Sequence, residues 1–376
     1  MAISLPVDRV ICIRFSTLAL RPQPPKCVPY RESWCDAENQ SAQNSYQSQL
    51  VNHCMKRISI SVIIVTWNSR YAVTRCLRSL ESLDKTSFTL ETIVVDNHSD
   101  DGTAEMLESE SKILTKVGLK LILNTSNLGL SIATEQAYEI ASGEWILLCN
   151  PDVIFTDDFL RMVSFARSQD DYSMLTAEMV NEAGSIQRVV VRRFPTVARV
   201  FFGFSVFGSH VDKYLLGNFF LDDYTYARTD FNEPVSPVEQ PGASFLLISR
   251  DAVERVGGIF SQEFPIWWND VDLAKRAHEV KIRRGIMPAI RIPHDLGHSA
   301  KKLPRPIRRY IFCLAMLRYC RKWKMYPRVV QCLFLFDGLL SIVFGWPLWS
   351  ARLGSSGGLR EGLDYSASQL RGVLTG

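Results

Sequence analysis

The sequence has no C-x-x-C pair and no other metal-ligand spacing among its nine cysteines, at positions 12, 27, 35, 54, 76, 149, 313, 320 and 332. An odd count with irregular spacing argues against a disulfide framework of the secreted kind. Cys76 and Cys149 fall inside apolar stretches and read as small core hydrophobes. No G-x-G-x-x-G turn follows the first apolar strand, so dinucleotide binding loses its main support. No G-x-x-x-x-G-K-[ST] occurs either, which removes a P-loop ATPase. No secretory signal opens the chain, because Asp8, Arg9 and Arg14 interrupt short apolar runs. The expected setting is a reducing cytoplasm. Net charge is small, 43 Lys and Arg against 39 Asp and Glu. With no base-stacking or groove-reading element in sight, no nucleic-acid partner is expected.

What is present is ordinary globular composition, 47% apolar and 22% charged. That excludes a disordered, collagenous or coiled-coil chain. Its 376 residues fit two or three domains, or one large α/β domain with appendages. The basic residues are unevenly placed. Residues 301–328 hold ten of them and no acid, leaving 33 basic against 39 acidic elsewhere. The cluster adjoins the apolar run 329–349, whose one charge is Asp337. Basic charge beside apolar surface points to an anionic membrane as partner.

Four regions follow. Residues 1–57, with the RPQPPKCVP piece at Arg21–Pro29 and a Gln/Ser/Asn-rich stretch at Glu38–Gln49, read as a poorly ordered extension. Residues 58–300 form the α/β domain. Residues 301–350 are a basic and apolar helical segment for membrane association, and 351–376 are a Gly/Ser-rich flexible tail. In the third region an interfacial anchor fits better than a spanning helix, since Asp337 sits near the middle of the run. Trp323, Tyr326, Trp346 and Trp349 would lie at headgroup depth. The alternative is that these helices pack on the domain. The expected location is the inner face of the plasma membrane, peripherally bound.

Order begins at Ile58. ISISVIIVTW (58–67) is apolar on both faces, as a central parallel strand is. A helix over 70–83, a strand over 90–96, a helix over 101–112, a strand over 119–124, a helix over 129–141 and a strand over 144–150 follow. Such alternation predicts right-handed βαβ units and a doubly wound, mostly parallel sheet. Ligands bind these sheets at the strands' carboxyl ends. That singles out Thr66–Ser69, Asp96–Thr103, Asn124–Leu130 and Asn150–Asp152. Asp96 can accept from a base N–H or a ribose hydroxyl, or can serve a turn and helix cap. Asp152, behind Pro151, suits a hard cation or, equally, a cap. SFLLISR (244–250) reads as another buried strand, and a helix starts near Asp270.

The motifs fall in one order: VIIVTWNSR (62–70), VVDNHSDDGT (94–103), Asn127-Leu128-Gly129, NPDV (150–153), PGASFLLISRDAVERVGG (241–258) and WWNDVDLAKR (267–276). Over about 58–300 the chain resembles the family 2 glycosyltransferases of GT-A fold, in particular the rhamnosyltransferase branch of bacterial cell-surface polysaccharide synthesis.

The resemblance implies a Rossmann-like GT-A sheet and a set of roles. Asp96, Thr66, Asn68, Asn127 and Asn150 would line the nucleotide-sugar site. Asp152 would bind a divalent cation, Mg²⁺ or Mn²⁺, with Asn150 in place of a usual acid. His294, in PHDLGHS (293–299), would be a second metal ligand, with His298 a weaker candidate. Asp270 would be the general base, with Asn269 where many members have Glu. Trp267 and Trp268 would face the acceptor or pack in the core, at most one of them reaching a sugar. Arg192-Arg193 would lie near the diphosphate or on a solvated turn. Glu135 stands near a position usually held by Asn, so the helix side of the donor pocket departs from the pattern. The implied activity is inverting, metal-dependent transfer from a nucleotide sugar, dTDP-rhamnose first, to a glycan or lipid-linked glycan acceptor. A catalytically idle GT-A domain acting as a scaffold is the alternative.

Overall fold

The computed structural model describes residues 57–110, 114–168, 171–294, 302–343 and 359–375. The N-terminal extension, His298, Trp346 and Trp349 lie outside the described residues. The strands are β1 (Ile58–Thr66), β2 (Phe88–Asp96), β3 (Leu119–Leu123), β4 (Trp145–Cys149), β5 (Met174–Val180), β6 (Val191–Arg192), β7 (Ser236–Pro237), β8 (Gln240–Pro241), β9 (Phe245–Ser249) and β10 (Arg284–Pro293). The helices through the first half are α1 (Arg70–Ser82), α2 (Thr103–Glu110), α3 (Leu130–Glu139) and α4 (Asp157–Ser168). Then come α5 (Val197–Phe204), α6 (Val206–Leu215), α7 (Phe219–Tyr224), α8 (Arg250–Val256) and α9 (Asn269–Glu279). Three more follow, α10 (Arg305–Lys322), α11 (Pro327–Val343) and α12 (Leu359–Thr375).

Eight strands form one sheet in the order β3-β2-β1-β4-β9-β5-β10-β7. β1, β2, β3 and β4 pair in parallel, as the alternation of strand and helix predicts. The buried strand read over 244–250 is β9, and it runs antiparallel between β4 and β5. The sheet is therefore mixed α/β and mostly parallel. β1 is central, and its period-2 alternation divides the core. Val62 and Ile64 pack with α1 and α4, while Ile63 packs with α3, α8 and α9. Strand order reverses at β1, with β2 on one side and β4 on the other. The crevice outside the ends of β1 and β4 is thus the switch point where such sheets take ligands.

At the opposite end of the strands, Glu91 holds the lower edge together. It accepts from Lys120 Nζ at 2.7 Å, from the Ser142 backbone N–H at 2.6 Å and from Ser61 Oγ. Burial opposes its charge, but these donors outweigh it and hold its carboxyl down to about 2.

The C-terminal helices correct two expectations. α10, α11 and α12 pack on one another, and α10 and α11 share a core with Val200, Phe264, Trp268 and Val271 of the α/β domain. Asp337 is fully buried. Its carboxylate accepts from the Val206 and Phe207 backbone N–H groups at 2.9 and 2.6 Å, the free donors at the start of α6, and from Gln369 Nε2 at 2.9 Å. The charge that looked costly in mid-run is a helix cap. Among the described residues, no helix is long and apolar enough to cross a membrane. Trp323 is not at an interface, because its Nε1 donates to Asp272 at 3.0 Å inside this packing. Nor is the end of the chain a loose tail over 359–375. Ser366, Gln369 and Val373, at helical spacing, are buried against α10 and α11. The consecutive Gly and Ser residues fall within 354–358, ahead of α12.

Candidate active site

The ends of β1 and β4 open on a cavity of about 670 Å³. Thr66, Asn127, Asn150, Asp152, Trp267, Trp268 and Asp270 all line it. Residues from both halves of the chain therefore meet in one space. Thr66 ends β1 and is buried, and its Oγ1 has no hydrogen-bond partner. The Asn269 Nδ2 and Trp268 Nε1 donors are likewise buried and unpartnered. Buried polar atoms are nearly always satisfied, so three such atoms on residues lining one cavity mark a place for a polar ligand.

Two nucleotide-site candidates, Asp96 and Asn68, are not among the residues lining this cavity. Asp96 is buried, and its oxygens accept from the Ser99 backbone N–H at 3.0 Å and from Ser99 Oγ at 2.6 Å. Asn68 has a left-handed backbone and accepts from the Asp100 N–H at 2.7 Å. Both shape the loop after β2. Asn97, which the sequence reading did not single out, lines the cavity instead. Its Nδ2 donates to Asn127 Oδ1 at 2.9 Å, and its Oδ1 accepts from the Leu128 N–H at 3.0 Å. The Asn127-Leu128-Gly129 turn is thus tied to the end of β2. Gly129 needs its glycine: φ is +83°, and an added Cβ would meet the Pro265 carbonyl oxygen at 3.1 Å.

Asp152 and His294 come together although 142 positions apart in sequence. His294 directly follows β10 and forms a bridge with Val153. Its Nε2 lies 3.3 Å from Asp152 Oδ1 and 3.1 Å from Asn150 Nδ2, and both Asp152 and His294 are buried. Gln187, also missed in the sequence, holds the other side of the ring. It accepts from His294 Nδ1 at 2.8 Å and donates through Nε2 to the His294 carbonyl oxygen at 2.6 Å. The neutral ring therefore carries its proton on Nδ1 and presents the Nε2 lone pair toward Asn150 and Asp152. Among the described residues no group of three or more His, Cys, Asp or Glu can hold a metal unaided. One carboxylate and one imidazole nitrogen fit a hard cation that draws its remaining ligands from a diphosphate and water.

Asp270 stands in the first turn of α9, after a left-handed Trp268 backbone. It forms an ion pair with Arg192 Nη2, both partly buried. Gln240, with its amide oxygen turned to Arg192, accepts from Nε at 3.0 Å and Nη2 at 2.7 Å. Burial works to lower the Arg192 pKa, but Asp270 and Tyr224 hold it above its ordinary value. Of the basic pair, Arg192 reaches the site, while Arg193 pairs with Asp223 and covers the Tyr226 ring. The two tryptophans also divide. Trp268 is buried against Phe204, Phe312 and Tyr319, so it is a core residue that forms part of the wall. Trp267 is the more exposed of the two.

Two acids near these motifs are structural. Asp272 is fully buried and binds Arg276, Lys322 and Trp323, joining α9 to the end of α10. Glu135 accepts from the Phe260 N–H at 2.7 Å, and burial raises its pKa. Leu303, Ile311, Phe312 and Leu314 complete the cavity wall, so the C-terminal helices contribute directly to the site.

Residues 61–216 match the family model described as Glycosyl transferase family 2. Over that segment the chain is similar to the family 2 glycosyltransferases. The chain is 24% identical over 261 residues to the N-acetylglucosaminyl-diphospho-decaprenol L-rhamnosyltransferase of Mycobacterium tuberculosis, covering 65% of this chain and 78% of the relative. It is 24% identical over 177 residues to the rhamnosyltransferase WbbL of Escherichia coli K12, covering 47% of this chain and 61% of WbbL. Among solved structures, the mannosyltransferase PcManGT of Pyrobaculum calidifontis, in complex with GDP-Man and Mn²⁺, is 14% identical at a TM-score of 0.49. That match covers 90% of this chain and 95% of PcManGT.

Proposed function

We propose that this chain is an inverting, metal-dependent glycosyltransferase and moves a sugar from a nucleotide donor to a hydroxyl of a lipid-linked glycan in cell-surface polysaccharide synthesis. Rhamnose from dTDP-rhamnose is the first choice, from the two rhamnosyltransferase relatives. The observation that carries the reading is the single cavity lined by Asp152 from the β4 end and Asp270 from α9.

In this reading Thr66, Asn97 and Asn127 hold the nucleoside end. Asp152, with Asn150 beside it, faces the diphosphate, and His294 lies against Asp152 behind the cavity wall. A divalent cation bound there would neutralise charge on the leaving diphosphate as the glycosidic bond breaks. Asp270 takes the proton from the acceptor hydroxyl as its oxygen attacks the anomeric carbon, a step worth about 10²–10⁴-fold. Arg192 orients the Asp270 carboxylate, and Trp267 offers a face for acceptor stacking. The apolar wall from α10 accommodates the lipid-proximal part of the acceptor.

The Asp270–Arg192 ion pair is the one observation that favours the second reading, an idle domain whose would-be base is permanently occupied. One assay separates the two. A panel of nucleotide sugars is incubated with the full chain and Mg²⁺ or Mn²⁺, and nucleoside diphosphate release is followed. Metal-dependent release from one donor supports the transferase. Thermal stabilisation by a donor with no release, with or without acceptor, supports the scaffold.

A further inference from the structure

The outer face of α11 reverses the usual polarity of a surface helix. Val329, Cys332, Phe336, Leu339 and Val343 follow one another at intervals of three or four and are all exposed, Phe336 by 56% and Val343 by 70%. This spacing places them on one stripe. The polar residues Asp337 and Ser341 lie on the buried face. Asp337 docks the start of α6 on that buried face, which leaves the opposite face of α11 uncovered. Scattered exposed hydrophobics need no explanation, but a continuous apolar stripe along one helix does.

We infer that this face lies on an anionic lipid bilayer, with α11 flat in the headgroup boundary. Charge decides the occupant. Arg321, Lys324 and Arg328 are exposed where α10 passes into α11, and Lys302 and Arg305 are exposed near the start of α10. Asp337 is the only acid from 302 to 343, and it is buried. Basic residues beside an exposed apolar stripe match an interfacial helix on anionic lipid. A second copy is disfavoured, since a two-fold contact through this face would bring like charges together. Among the described residues no helix is long and apolar enough to span, and the 17 residues of α11 reach only about 25 Å. α10 carries both basic surface and part of the cavity wall, so docking would set the cavity close to the bilayer. The proposal rests on the transferase reading only for the acceptor's location there.

The test is co-sedimentation of the full chain with vesicles of phosphatidylcholine alone or with added phosphatidylglycerol. Wild type should pellet with the anionic vesicles and be released by salt. Phe336→Glu/Leu339→Glu alters two exposed positions and should lower the partition coefficient about a hundredfold. Arg321→Ser/Lys324→Ser/Arg328→Ser should weaken binding at low salt and flatten its salt dependence. Unchanged thermal melting shows that the variants fold. Wild type staying in the supernatant at low salt, or the Phe336/Leu339 variant pelleting like wild type, overturns the proposal. So does a soluble dimer that the same variant dissociates. Metal-dependent donor hydrolysis, measured without vesicles, should be the same in these variants and wild type. It tests the transferase reading separately.

Discussion

If Asp152 and His294 hold a divalent cation as proposed, Gln187→Leu should weaken that site without replacing either residue. Gln187 makes two contacts with His294, accepting from Nδ1 at 2.8 Å and donating to the carbonyl oxygen at 2.6 Å. Leucine has similar volume but removes both. The ring then loses the acceptor that keeps its proton on Nδ1, and the Nε2 lone pair facing Asp152 is no longer fixed. Loss of such a supporting hydrogen bond typically costs 10–100-fold in metal affinity. The expected result is Mn²⁺ affinity, in the presence of a nucleoside diphosphate, about 10–100-fold weaker than wild type. Electron paramagnetic resonance of free Mn²⁺ reads this without any turnover. Nitrogen-15 NMR of the His294 ring reads the tautomer directly, with the proton on Nδ1 in wild type and a mixture in the variant. Gln187→Glu keeps an acceptor for Nδ1 and should retain the wild-type tautomer. A Leu variant with Mn²⁺ affinity within threefold of wild type and an unchanged tautomer would refute the reasoning.

Asp270→Asn should lower transfer at least a hundredfold while donor affinity stays within threefold, and a loss below tenfold in steady-state assays would be too small for a missing general base. Asp152→Ala should abolish metal-dependent binding of the nucleoside diphosphate, measured calorimetrically, and His294→Ala should weaken it less, because Asp152 and the diphosphate oxygens remain. Asp337→Ala leaves the Val206 and Phe207 N–H groups buried without an acceptor and should cost about 3–5 kcal/mol in denaturant titrations. A cost under about 1 kcal/mol would deny the cap. The Glu91 carboxyl is held at about 2, below its ordinary value, so its stabilisation is fully present above about pH 4.5 and is lost as pH falls toward 2. Screening reduces the contribution to about 1–2 kcal/mol, and Glu91→Gln should flatten acid denaturation over that window.

The parallel half of the sheet was legible because its signals are local. The β-branched run at 58–66, the alternation through Cys149 and the Asx- and Gly-rich loops each state their own conformation. The four loops at the strand ends do lie at the ends of β1 to β4. Within them, sequence could not decide which of two adjacent side chains turns inward. Asp96 serves its own turn and Asn97 lines the cavity, yet both sit in one Asp-Asn pair. Gln187 carried no signal at all. It lies in a short irregular stretch and meets His294, 107 residues further on, only because β5 and β10 pair.

The C-terminal helices show the limit of reading hydropathy along a chain. An apolar run with one central acid is the same string whether the acid is a liability in lipid or a cap on another helix. What separates the two is the partner, and the partner of Asp337 is the start of α6, 130 residues earlier. The distinction also dissolves the choice between a membrane segment and a packed one. One face of α11 carries the acid and the small residues Gly338 and Ser341, which admit close helix packing. The opposite face carries the large apolar side chains that gave the run its hydropathy. Packing against the domain uses one face of the helix and the proposed bilayer contact would use the other, so the first does not count against the second.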